Sequence, residues 1–101
     1  MSNKKYGLNY ERKEKRIWED NGYTVMRSRG SVGMFDMVVC HKSDTWTLVS
    51  VKATRKDKFY FKKELDKIEK FDNAPKGTEK VLSLYRRGKR TVISGGIIGE
   101  T

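Results

Sequence analysis

The sequence predicts an α/β domain, a mixed five-stranded sheet flanked by helices in the order α-β-β-β-α-β-β. Three observations predict it. Helix-forming residues fill positions 4–21 at the start of the chain. Short apolar runs separated by turn signals follow. One amphipathic stretch, about 60–72, then interrupts the strands. Strands joined by tight turns pair antiparallel, whereas strands separated by a helix need a crossover, so both pairings are expected in one sheet.

In the first helix, Tyr6, Tyr10 and Ile17 share one stripe, with Trp18 at its edge and Leu8 beyond it. Asn21-Gly22 stops this helix. Residues 23–29 alternate and read as a strand, followed by a turn at Gly30-Ser-Val-Gly33. Residues 34–40 form a second, largely apolar strand, and Lys42-Ser43-Asp44 turns the chain into a third at 45–53. Phe61, Leu65, Ile68 and Phe71 mark one face of the second helix. A loop at 73–77 leads to strands near 79–85 and 90–94, joined by the hairpin turn Arg86-Arg-Gly-Lys89. The tail, 95–99, reads equally as a fraying end or as an edge-strand partner. No repeat, linker or low-complexity tract divides the chain, so one domain over residues 1–101 is expected.

Charge is the first functional clue. Lys and Arg total 23 against 13 Asp and Glu, a net charge of +10. Such a surface attracts polyanions. A membrane partner is not expected: there is no basic helix with a wide apolar face, no secretory signal and no bilayer-length apolar run. The lone Cys40 lies in the apolar run 37–40 and is expected as a buried, reduced thiol in an intracellular, cytoplasmic setting. One histidine, His41, is too few for a zinc site or a Cys/His nucleophile. With 36% hydrophobic residues the core is modest, so a partner or dimer interface is expected to add stability.

Asp36 lies amid the apolar residues 34–39, where a carboxylate is costly unless paired or bound to metal. On the next strand, alternation puts Trp46, Leu48, Ser50 and Lys52 on one face and Val49, Val51 and Ala53 on the other. If the two strands form a hairpin, Ser50 and Lys52 can share a face with Asp36. Glu11 falls on the flank of the first helix's stripe and can reach a site beside the sheet; alternatively it pairs with Lys15 on the helix surface. Arg12, Arg27 and Arg29 add cations nearby.

Tyr10-Glu11-Arg12, Gly22-Tyr-Thr-Val-Met-Arg27-Ser-Arg-Gly-Ser31, Asp36, Val51-Lys52 and Lys56-Asp57-Lys58-Phe-Tyr60 together resemble the archaeal Holliday junction resolvases, within the PD-(D/E)xK nuclease superfamily. The match runs from about residue 5 to 90, and the order and spacing of the motifs carry it. The resemblance implies a restriction-endonuclease-like fold, a homodimer, and cleavage of branched DNA, above all four-way junctions, with Mg²⁺ or Mn²⁺. It implies catalytic roles for Glu11, Asp36, Lys52 and the Ser50 position. It associates Ser31, Arg12 and Arg27 with substrate phosphate and catalysis. Arg29, Arg55, Lys56 and Lys58 are further candidates for phosphate contacts, which position DNA without reading its sequence. Metal ligation would fall to Asp36, Glu11, the Val51 carbonyl and Ser50.

Two residues depart from the family pattern. Phe35 stands where it has a proline, a change expected to affect the turn alone. Ser50 stands where it has a glutamate, and a neutral hydroxyl is a poor ligand for a hard cation. Three outcomes stay open: a weak site on the remaining ligands, an acid reaching in from helix two (Glu64 first), or loss of catalysis. The rival readings are a non-catalytic DNA-binding protein on a nuclease fold and a nuclease with another DNA substrate. An RNA-binding protein fits less well, because no aromatic stacking motif spans adjacent strands.

Overall fold

The computed structural model describes residues 2–27, 34–42, 45–56 and 61–99, with the backbone alone at 2–6. Helix α1 (Ser2–Asp20) precedes strands β1 (Thr24–Arg27), β2 (Met37–Cys40) and β3 (Trp46–Thr54). Helix α2 (Lys62–Lys70) leads to β4 (Glu79–Arg86) and β5 (Lys89–Ile97). The strands lie side by side in chain order, all antiparallel except the β3–β4 pair. A parallel neighbour needs a crossover, and α2 lies within it. The expected mixed sheet and element order therefore hold. The ambiguous tail is edge strand through Ile97, with Gly77 N–H donating to the Ile98 carbonyl just beyond it.

α1 packs on the face that carries Val25, Met37, Val39, Val49, Val51, Val81 and Tyr85, where Tyr10, Trp18, Tyr23 and Ala53 close over the core. The expected alternation of β3 holds in this respect: Val49, Val51 and Ala53 are core-facing. α2 lies against β4 and β5 through its buried Ile68. Gly95 permits this approach, since a Cβ there would come within 2.5 Å of Ile68 Cγ2. Lys80, 4% exposed, donates from Nζ to the carbonyls of Glu69 and Phe71, both at 2.8 Å. Its charge thus satisfies carbonyl groups at the C-terminal end of α2.

Two local expectations change. Cys40 is partly exposed rather than buried, because β2 buries alternate residues and Met37 and Val39 take the core positions. Phe35 does more than alter a turn: its ring stacks edge-on against Phe71, the C-cap of α2, with centroids 5.1 Å apart. The segment ahead of Asp36 is thereby tied to the second helix.

Candidate functional site

Asp36 sits just before β2 rather than within the strand. Pairing with β3 runs in register from Cys40↔Trp46 to Met37↔Val49 and stops there. The Asp36 N–H then donates to the Val49 carbonyl at 2.8 Å, out of step with that ladder. Its Oδ2 accepts the Val51 N–H at 2.6 Å, so a side-chain oxygen satisfies the strand where main-chain pairing ends. A strand residue sends its N–H and carbonyl to the same edge, so the Val51 carbonyl also faces this end of β2. Burial pushes the Asp36 pKa up, against the lowering by the Val51 hydrogen bond, Lys52 and Arg27. Ser50 is almost fully buried, whereas Lys52, two positions further along the same face of β3, is exposed.

Glu11 comes to the same place from α1. Its pKa is raised, first by burial and then by the Asp36 charge, while Arg27 and Lys52 pull it down. Arg27 Nη2 lies 3.9 Å from Glu11 Oε1, and the buried Arg27 Nε has no hydrogen-bond partner. The alternative pairing of Glu11 with Lys15 does not occur, since Lys15 bonds Glu19 at 2.9 Å. Glu11, Arg27, Asp36 and Lys52 are thus brought within electrostatic reach of one another. Arg12 points outward from α1, and Arg55 and Lys56 are exposed just after β3. Arg29, Ser31 and Lys58 lie outside the described residues, as do Asp57 and Tyr60.

A second cluster had no place among the candidates. Glu14, one turn beyond Glu11, is wholly buried. Its Oε1 accepts Tyr85 OH and Arg90 Nε, both at 2.7 Å. Its Oε2 accepts Ser83 Oγ at 2.6 Å, and Trp18 Nε1 and Arg90 Nη2 at 2.9 Å. Burial raises the Glu14 pKa, but the hydrogen bonds from Arg90, Ser83, Tyr85 and Trp18 outweigh it and the net shift is downward. The cluster fastens α1 to β4 and β5 one turn from Glu11. A signal for it existed in the spacing: Tyr10, Glu14 and Trp18 stand four residues apart on one helical face.

The donor chemistry beside Asp36 suits a hard divalent cation. Burial raises the cost of charge on both carboxylates, the Asp36 charge adds to it at Glu11, and a cation relieves both effects. Mg²⁺ commonly uses one or two carboxylates together with waters and substrate phosphates. Among the described residues no three acids, histidines or cysteines gather to hold a metal, and Glu64 of α2 does not complete such a group. Also among them, no helix is long and apolar enough to cross a membrane.

A comparison with curated proteins finds no match. The family model described as archaeal Holliday junction resolvase (hjc) matches residues 2–94, taking in α1, the whole of β1 to β4 and most of β5. With nearly all of its length matched and the fold in agreement, this chain belongs to the archaeal Holliday junction resolvase family, nucleases that act on branched DNA.

Proposed function

We propose that the chain is a structure-selective endonuclease that resolves four-way DNA junctions by metal-dependent phosphodiester hydrolysis. The observation that carries this reading is the convergence of Glu11 and Asp36 beside Lys52 and Arg27. Asp36, Glu11 and the Val51 carbonyl would hold Mg²⁺ or Mn²⁺, with Ser50 as a weak additional oxygen. When bound, the ion acts as a Lewis acid on the phosphate and lowers the pKa of a coordinated water. Lys52, exposed at the end of the site, stabilises charge developing on the phosphate or orients the attacking water. Arg27 and Arg12 hold phosphate oxygens, together with Arg29, Arg55, Lys56 and Lys58, and Ser31 belongs with the substrate side of the site.

These six cations set the salt dependence. If each neutralises one phosphate, junction affinity falls about 10³-fold between 50 and 200 mM salt. Fluorescence anisotropy across a salt series measures this, and a flat response removes the nucleic-acid reading.

A binding-only protein on the same fold is the second reading, favoured by Ser50 at the motif's acidic position and by the lack of a third clustered acid among the described residues. Ser50 is 1% exposed, so a carboxylate placed there needs a cation to offset its burial. Ser50→Glu is therefore expected to melt lower than the parent without metal and to recover on adding Mg²⁺ or Mn²⁺. Junction cleavage should rise by about tenfold or more, the scale on which changes around metal sites act. A parent that cleaves well and gains nothing from Ser50→Glu calls for another acid, with Glu64→Gln as the next substitution. A parent and a variant that both bind without cleaving favour the binding-only reading.

We also propose a symmetric dimer, which gives each of the two strands cut in a four-way junction its own site. β5 supports it by exposing Val92 and Ile97 beside its open edge, at 45% and 40%. Sedimentation that shows monomer alone at micromolar concentration, with and without junction DNA, counts against it.

A further inference from the structure

The β4–β5 connection is a two-residue turn, since Arg86 pairs with Lys89 across it. Both central residues have positive φ, 50° at Arg87 and 82° at Gly88. This geometry suits the right-handed twist of the strands and favours Asn-Gly or Gly-Gly. Arg87 is the one non-glycine residue with positive φ among those described. Arginine lacks the short polar side chain with which asparagine settles in this region. A side chain kept where the backbone disfavours it is a reason to look for a function.

The position of the turn supplies one. Its Arg87 N–H donates to the Thr54 carbonyl at 3.1 Å, and Arg87 Nε reaches the Arg55 carbonyl at 3.4 Å. On the other side Gly88 stands beside Tyr10, since a Cβ there would lie 3.9 Å from the Tyr10 hydroxyl. The turn is thus wedged between the segment leaving β3 and the residue preceding Glu11. Arg55, Lys56, Arg87 and Lys89 are all exposed here. The segment from Lys80 to Gly99 carries no acidic residue of its own. Lys52 pairs with Leu84 and Thr54 with Arg86, so the turn begins two residues beyond Lys52. At ~3.3 Å per strand residue this is about 7 Å, within reach of a backbone phosphate close to the one being cut.

We infer that the Arg86–Lys89 turn is a phosphate clamp, with Arg87 and Lys89 holding the DNA backbone close to the bond that is cut. The inference rests on the reading of the chain as a junction nuclease and adds to it a contact surface on β4–β5.

The test measures junction affinity against salt for the parent, Arg87→Gly and Lys89→Ser, with a melting temperature for each. Glycine accepts the backbone geometry, so Arg87→Gly is expected to melt no lower than the parent. Loss of one phosphate contact should lower the slope of log affinity against log salt by about 1, and weaken binding about eightfold at 0.1 M salt. Lys89→Ser should do the same from a position without positive φ, which keeps the test decisive if Arg87→Gly perturbs the hairpin. A steep parent response with both variants matching it overturns the clamp and leaves the nuclease reading standing. A flat parent response instead overturns the DNA-binding reading itself, and the clamp with it.

Discussion

Glu14→Ala should destabilise the fold by about 3 kcal/mol, the lower end for breaking a buried charge pair. The lower end applies because the Arg90 side chain is 29% exposed and regains water when its partner is lost. The buried hydroxyls of Ser83 and Tyr85 have no such recourse. Glu14→Gln is not a mild alternative. Every partner of the carboxylate is a donor, with two on Oε1 and three on Oε2. An amide must turn its own NH₂ toward one of these sets. Urea unfolding is expected to show a lower midpoint with an unchanged slope for both variants. The pH dependence follows from the lowered Glu14 pKa. Unfolded, the group titrates near its ordinary value of about 4.3; folded, it holds its charge to lower pH. The stabilisation is therefore complete above about pH 4.3 and is lost as pH falls through the lower, folded value. Glu14→Gln should flatten that acid limb. A variant with the parent's midpoint and the parent's acid limb would show that the cluster contributes nothing net.

Glu14 also marks what was legible in the sequence. Its spacing to Tyr10 and Trp18 put it on the apolar face, but not its partners: Ser83, Tyr85 and Arg90 are some seventy residues away, on strands whose pairing is set by the crossover. The elements themselves were readable because their signals are local. Alternation placed β3 and its core face, Asn21-Gly22 ended α1, and Arg86-Arg-Gly-Lys89 marked a hairpin, which the Arg86–Lys89 pair shortens to a two-residue turn. Boundaries near Asp36 were not, because an apolar run of residues reads as strand whether or not the ladder continues. There the carboxylate itself takes the Val51 N–H where β2 stops pairing. The gathering of Glu11 with Asp36 followed from resemblance to known nucleases, and the structure adds the electrostatic consequence, two raised pKa values facing Lys52 and Arg27. Phe35 shows the limit from the other side: its contact with Phe71 joins residues 36 positions apart, for which no local pattern exists.

Asp36→Asn is expected to abolish junction cleavage while leaving the fold and DNA binding largely intact. Asparagine keeps a carbonyl oxygen where Oδ2 accepts the Val51 N–H, so the end of β2 retains its anchor. It removes the negative charge, and with Ser50 neutral only Glu11 remains as an acidic ligand from the candidate set. Outer-shell changes around metals already cost 10–100-fold, so loss of a direct ligand should cost more than ~100-fold in single-turnover rate at fixed Mg²⁺. Junction affinity should hold or tighten, since one fewer negative charge faces the phosphate. Burial still raises the Glu11 pKa, but the contribution from Asp36 disappears. Glu11 should thus ionise at lower pH in the variant, visible in a side-chain carboxyl NMR titration of the metal-free protein. Anisotropy and cleavage measured on the same four-way junction separate binding from chemistry. Cleavage at the parent's rate by Asp36→Asn would remove Asp36 from the site, and with it the metal-dependent mechanism proposed for Glu11, Asp36 and Lys52, leaving the basic surface as the part of the functional reading that stands.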